Sequence, residues 1–270
     1  MALARPDGSR DLRIEDVSNR WIVHPAARLL LPAAIGLRIS ANAVSVAGLA
    51  FGAAAAAALQ RWHDWRFVAL AGLLCLAWLI ADGLDGMIAR ATGTASDLGR
   101  FLDGVCDHAV FVMLYVSLAA SVGTAGGWML AAAAGLAHFI QATLYEGERS
   151  RYHRRVKGDA GLRRAVAQPN PLVAAYDAVA GSLDRLAAPF DRRLATAADA
   201  AAMARAYGAG AAGPMRLMAL LSNNMRVVLI CGACLAGDPR LFWWAELGPL
   251  SVIAMAGLWW HRRSEAAVAA

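Results

Sequence analysis

Six long apolar runs constrain the fold of this chain more than any other feature of its sequence. They cover roughly residues 41–60, 67–88, 101–122, 128–148, 217–236 and 241–260. Each run is close to the ~20 residues that an α-helix needs to cross the hydrocarbon core of a bilayer. Hydrophobic residues make up 59% of the 270 residues, whereas a soluble domain usually contains ~45–50%. The sequence therefore predicts an all-α integral membrane bundle of six transmembrane helices.

The distribution of Lys and Arg predicts the orientation of these spans. Cations concentrate in the N-terminal segment, between spans two and three, between spans four and five, and in the C-terminal tail. Because cytoplasmic connections carry an excess of Lys and Arg, six spans place all four basic segments on the cytoplasmic side. We expect the inner (cytoplasmic) membrane of a bacterium. The net charge of +6 then reflects contact with anionic lipid head groups, and no motif indicates a nucleic-acid partner.

Two segments outside the apolar runs complete the predicted organisation. Residues 1–38 are interpreted as a cytoplasmic N-terminus with an amphipathic helix on the membrane surface, because apolar residues mix there with Arg and His. Residues 39–270 would form the membrane domain. Within it, the Ala- and Arg-rich segment 149–216 is predicted to be a cytoplasmic insertion between spans four and five.

Five aspartates lie in the stretch DGLDGMIARATGTASDLGRFLDGVCD, where the second and third spans meet, and four of them fall in two pairs. Asp82 and Asp85 are three residues apart and share a helix face, and Asp103 and Asp107, four apart, share a face of the next helix. Carboxylates brought together by a short turn repel one another unless a cation balances their charge. Oxygen ligands suit Mg²⁺ or Mn²⁺ better than zinc. The stretch therefore predicts a site for one or two divalent cations.

Glycines and an arginine in the same stretch predict an anionic ligand beside the metal. Gly86 lies within a helix, where glycine costs ~1 kcal/mol relative to alanine, a cost that a closely approaching ligand would explain. Gly99 opens the next helix, whose free N–H groups favour a phosphate. Arg90 lies one turn after Gly86 and can bind the same anion. These residues predict a diphosphate site; the structural alternative is a helical hairpin in which Arg90 and Arg100 neutralise the aspartates.

The stretch resembles the signature of the CDP-alcohol phosphotransferase family, D-x-x-D-G-x-x-A-R-x8-G-x-x-x-D-x-x-x-D. Every fixed position of that signature is present: Asp82, Asp85, Gly86, Ala89, Arg90, Gly99, Asp103 and Asp107. The segment SANAVSVAGL also resembles the start of the first span in that family. The long segment 149–216 departs from its compact members.

The resemblance implies a membrane enzyme of phospholipid synthesis, usually a homodimer. Such an enzyme transfers a substituted phosphate from a CDP-linked alcohol to a second alcohol and releases CMP. It implies that Asp82, Asp85 and Asp103 are metal ligands, and that Asp107 is both a metal ligand and the general base. It also implies a CDP-binding set, which comprises Gly86, Ala89, Arg90 and Gly99. Two metal ions would stabilise the diphosphate and the departing oxygen during an in-line displacement.

The donor and the acceptor stay open at this point. Some members of the family use CDP-diacylglycerol as the donor and a water-soluble alcohol as the acceptor. We expect this reaction here, with an uncharged or zwitterionic acceptor. Others move phosphocholine or phosphoethanolamine to a lipid hydroxyl. Polar residues of spans four and five could line an acceptor pocket, although interhelical hydrogen bonds would explain them equally well. These residues are His138, Gln141, Tyr145, Glu148, Asn223 and Arg226.

An ion transporter is the alternative from another class, because intramembrane carboxylates also line ion pathways. Transporters often carry internal repeats and helices that are interrupted at the bilayer midplane. Here the acidic cluster is predicted near one membrane face, and the sequence contains no visible repeat. These features favour the transferase.

Overall fold

The computed structural model describes residues 11–95, 97–158 and 188–269, and it describes the side chains of these residues except for 97–103. The described part is helical and contains no strand. Five of its helical segments are long and apolar enough to cross a membrane: Ala41–Leu59, Trp65–Ala91, Gly104–Val122, Ala125–Val156 and Arg240–Val268. A sixth span results if Ala212–Leu221 and Asn223–Leu235 together form one broken span. The predicted all-α membrane bundle is confirmed, with five to six candidate spans.

Within each described range, short connections join consecutive helices. In chain order they are α1 His24–Gly36, α2 Ala41–Leu59, α3 Trp65–Ala91, α4 Asp97–Val122, α5 Ala125–Val156, α6 188–196, α7 Ala200–Gly210, α8 Ala212–Met218, α9 Asn223–Leu235, α10 Arg240–Ala245 and α11 Ser251–Val268. Two π-helical turns also occur: Asn19–Val23 precedes α1, and Glu246–Leu250 connects α10 to α11. Helix α5 continues past the predicted end of the fourth span, so the first residues of the segment 149–216 extend that helix.

The contacts divide the described residues into two compact units. The first unit contains residues 16–95, 97–138 and 223–248. It therefore includes every described residue of the aspartate stretch. The second unit contains residues 11–15, 139–158, 188–222 and 249–269. The predicted boundary between an N-terminal segment 1–38 and a membrane domain stays a prediction.

Small residues on α2 allow α3 and α4 to pack closely against it in the first unit. A Cβ added at Gly48 would lie 3.4 Å from Cβ of Ala81 on α3, and one added at Gly52 would overlap the side chain of Val110 on α4. Membrane helices associate through such close van der Waals contacts. Because Asp85 lies one turn after Ala81, this packing places the acidic end of α3 beside α2.

Helix α1 packs on the same acidic end of α3. Its Ala27 and Ala34 are buried in a cluster with Leu84 and Ile88 of α3. Leu29 on α1 is exposed in the protein. An amphipathic helix in the plane of the membrane interface buries such residues among the lipid head groups. The location of this segment on the membrane surface stays a prediction.

Candidate active site

The last turns of α3 carry the first half of the aspartate motif. Asp85 is buried, with 6% of its surface exposed, and its Oδ2 accepts a hydrogen bond from Oγ of Ser45 on α2 at 2.5 Å. Asp82, one turn earlier, is half-buried. The exposed side chain of Arg90 folds back over Gly86, since a Cβ there would lie 3.2 Å from Nη1 of Arg90. The missing side chain at Gly86 thus leaves room for the guanidinium, a role that the sequence did not suggest.

The first turns of α4 carry the second half. Gly99 and Asp103 lie within the helix, and the side chain of Asp103 is outside the described part of the structure. Asp107 is half-buried, and its Oδ2 accepts a hydrogen bond from Nδ2 of Asn223 at 3.0 Å. Continuous α-helix through residues 103 and 107 means that the two aspartates lie one turn apart, as their spacing predicted.

The carboxylates of Asp85 and Asp107 fit a hard divalent cation by their chemistry. Each has one oxygen bound by an uncharged donor, the hydroxyl of Ser45 or the amide of Asn223. An uncharged donor orients a carboxylate without cancelling its charge, as the outer partners of metal ligands commonly do. Carboxylate oxygens are the ligands that Mg²⁺ and Mn²⁺ prefer. Metal binding by these two residues together with Asp82 and Asp103 stays a prediction.

Three acceptor candidates lie in the first unit, and two of them meet at one carboxylate. Nε of Arg226 donates to Oε1 of Glu246 at 2.8 Å, and both side chains are fully buried. Nδ1 of His138 lies 3.4 Å from the same oxygen. The third candidate, Asn223, is the residue that binds Asp107. These contacts match the interhelical bonding that was the alternative explanation, and acceptor binding by these residues stays a prediction.

The other three acceptor candidates lie in the second unit on α5. Nε2 of Gln141 donates to Oγ of Ser251 at 3.0 Å. Tyr145 is buried, with 4% of its surface exposed. Glu148 is buried in an ionic cluster, where its Oε1 accepts a 2.6 Å hydrogen bond from Arg151. Each of these polar side chains therefore lies inside the protein rather than on its surface.

That ionic cluster could not be anticipated from the sequence. Nδ1 of His261 on α11 lies 2.8 Å from Oε2 of Glu148, and Arg262 pairs with both Glu148 and Glu265. Within the described residues, Glu148, His261 and Glu265 are close enough together to hold a metal ion. However, the guanidinium groups of Arg155 and Arg262 already bind the carboxylate oxygens. We therefore interpret the cluster as a network of ion pairs between α5 and α11. In the sequence, only the spacing of charges in HRRSE pointed to such pairs.

The fold and the motif together indicate an integral membrane protein with an acidic site on two consecutive helices. A match to a protein family narrows this class further. The family model described as CDP-alcohol phosphatidyltransferase matches residues 38–166, and this part of the chain is similar to that family's domain. The match covers α2 to α5 and both halves of the motif. No curated protein sequence matches the chain.

The matched domain gives the enzyme class. The family consists of transferases of substituted phosphate groups, and the chain is assigned to that class through this domain. The family is generally dependent on a divalent metal and acts on CDP-linked alcohols with an alcohol acceptor. The resemblance seen in the aspartate stretch is therefore confirmed over a much longer part of the chain.

Proposed function

We propose that this protein transfers a phosphatidyl group from CDP-diacylglycerol to an alcohol acceptor and releases CMP. The observation that carries the proposal is the pair of carboxylates, Asp85 and Asp107, each hydrogen-bonded by an uncharged donor, within the complete family motif. A metal-dependent phosphoryl transfer needs carboxylates of this kind. Helices α3 and α4, which carry them, both lie in the range matched by the family.

The metal-binding role belongs in this proposal to the four aspartates of the motif. Asp82 and Asp85 would bind from α3, and Asp103 and Asp107 would bind from α4. We propose two ions, Mg²⁺ or Mn²⁺. When bound, they supply positive charge that stabilises the diphosphate and the departing oxygen.

Asp107 is the general base of the proposed reaction. Its carboxylate takes the proton of the acceptor hydroxyl while the hydroxyl oxygen forms a bond to the β-phosphorus of the donor. The bond between that phosphorus and the bridging oxygen breaks, and CMP leaves with the electron pair. The motif contains no serine, cysteine or histidine at a fixed position, which supports direct in-line displacement over a covalent enzyme intermediate.

The donor would bind at the ends of α3 and α4 that carry the motif. Arg90 presents an exposed guanidinium there, and a guanidinium binds two oxygens of a phosphate at once. Gly86 and Ala89 keep the adjacent helix surface small. Gly99, near the start of α4, offers backbone N–H groups to the diphosphate.

We propose an uncharged or zwitterionic acceptor, a homodimer, and a site that opens to the cytoplasm from the bacterial inner membrane. The basic connections support the orientation, and the family resemblance supports the dimer. The six polar residues named above for the acceptor pocket stay candidates. Because those with described contacts already bind protein partners, they would have to bind the acceptor through their remaining atoms.

The test is CMP release by the purified protein in detergent with Mg²⁺. CDP-diacylglycerol, CDP-choline and CDP-ethanolamine are each tested against a panel of acceptor alcohols, with Asp107→Asn as the inactive control. Release with CDP-diacylglycerol and one acceptor supports the proposal and identifies the product. Release only with a small CDP ester and a lipid alcohol assigns the enzyme to the other branch. Absence of any Mg²⁺-dependent CDP binding contradicts the proposal.

A further inference from the structure

We propose that Asn223 is a positioning residue for this reaction, and that it acts by fixing the orientation of the Asp107 carboxylate. This inference rests on the proposed function, in which Asp107 is the base and a metal ligand. It assigns to Asn223 a role in holding a catalytic group rather than in contacting the acceptor.

The contact between the two side chains has the chemistry that orientation requires. Nδ2 of Asn223 lies 3.0 Å from Oδ2 of Asp107. The amide must present its N–H to the carboxylate, because two facing oxygens would repel each other. One oxygen of Asp107 is thereby bound, and rotation of the carboxylate about its Cβ–Cγ bond is restricted.

The neighbours of Asn223 hold the start of α9 in place independently of that contact. Nδ2 of Asn224 donates to Oγ of Ser18 at 2.5 Å and to Oδ1 of Asn19 at 2.7 Å. One turn into the helix, the fully buried pair of Arg226 and Glu246 fixes its rotation. Both sets of contacts join α9 to other elements of the first unit. The position of the helix therefore does not depend on Asn223, whose amide is available for a functional role.

The backbone explains why Asn223 stands at this point. Ser222 has an extended conformation, with φ −70° and ψ 157°, and ends the short 3₁₀ turn Ala219–Leu221. Helix α9 therefore begins at Asn223. A short amide side chain in the first turn is held close to the backbone. It therefore loses little conformational entropy when its N–H groups are fixed in one direction.

The first arm of the test measures turnover and metal binding in two matched variants of the full-length protein. Asn223→Leu removes the donor and keeps the number and branching of the side-chain heavy atoms, and Asn224→Leu makes the same change at the adjacent position. We expect Asn223→Leu to lower kcat and the affinity for Mn²⁺ by about 10–100-fold, as outer partners of metal ligands do, while KM for CDP-diacylglycerol changes by less than about twofold. Asn224→Leu should lower the temperature of thermal unfolding, because it removes contacts that hold α9, whereas Asn223→Leu should lower kcat and Mn²⁺ affinity at an unfolding temperature close to that of the wild type. Mn²⁺ affinity is read by electron paramagnetic resonance without substrate.

The second arm separates this inference from the proposed function. In an Asp107→Asn background, Asn223→Leu should not weaken Mn²⁺ binding further, because its effect passes through Asp107. Wild-type kcat and Mn²⁺ affinity in Asn223→Leu would overturn the inference, and so would a rise confined to KM for the acceptor. If the wild-type protein releases no CMP, the proposed function fails, and the Mn²⁺ measurements still decide whether Asn223 orients Asp107.

Discussion

At the scale of single residues, the donors around the acidic motif differ in kind from those around the other buried carboxylates. Asp85 and Asp107 accept hydrogen bonds from a hydroxyl and an amide, whereas Glu246 and Glu148 pair with arginines. An arginine neutralises a carboxylate, and a neutral donor does not. Glu246 and Glu148 therefore take part in ion pairs, and a role of Asp85 and Asp107 in the reaction stays a proposal.

The substitution Asp107→Asn tests the assigned base. The amide cannot take a proton and binds a divalent cation more weakly, so CMP release should fall at least ~10²-fold, the lower range for loss of a general base. The fold should persist, because the residue is only half-buried and an amide has the same size. Turnover is measured by CMP release, and folding by elution from a sizing column. Turnover equal to that of the wild type would refute the assignment.

At the scale of elements, α2 determines how the helices that carry the motif can approach one another. Gly48 faces α3 and Gly52 faces α4, one turn further along the same helix. Because neither glycine has a side chain, α3 and α4 can both approach the backbone of α2 closely. Val68 on α3 and Leu114 and Leu118 on α4 are almost completely buried in the same core. The acidic ends of α3 and α4 therefore stand on a rigid, close-packed base.

Gly52→Ala should destabilise the protein, although alanine is the better helix former. The added methyl group would overlap the Val110 side chain, and overpacking of this kind costs about 1–3 kcal/mol. Thermal unfolding in detergent should therefore occur at a lower temperature. The control is Gly232→Ala on α9, where a Cβ meets nothing within 4 Å and stability should hold or rise. The added change Val110→Ala should restore the stability of Gly52→Ala, and failure of that rescue would contradict this account.

Arg226→Leu distinguishes a structural role from acceptor binding. The substitution leaves Glu246 buried without its guanidinium partner, which costs about 3–5 kcal/mol for a buried ion pair. The double variant Arg226→Leu with Glu246→Leu should recover most of that loss, because no uncompensated charge remains. Both are measured by thermal unfolding. Unchanged stability together with a raised KM for the acceptor would instead support the acceptor pocket predicted from the sequence.

At the scale of the whole molecule, the distribution of charge along the chain predicts the orientation in the membrane. The connection that follows α3 should face the cytoplasm with the other basic segments, and the connection between α9 and α10 should face the opposite side. In a cysteine-free background, Thr94→Cys and Ala236→Cys place one thiol in each connection, at positions that are exposed in the protein. A membrane-impermeant maleimide should label only Ala236→Cys in intact cells and both variants after lysis. Labelling of Thr94→Cys in intact cells would reverse the predicted orientation.

The sequence by itself determined the membrane class, the spacing of the aspartates along α3 and α4, and the family resemblance. Each of these depends on contiguous residues, whose hydropathy and helical period can be read along the chain. The donors that orient Asp85 and Asp107 were decided only by the tertiary structure. Asn223 is 116 positions from Asp107 in the chain, and its contact depends on how α9 is rotated and packed beside α4. Local patterns carry no information about that rotation, so the sequence named Asn223 but not the residue that it binds.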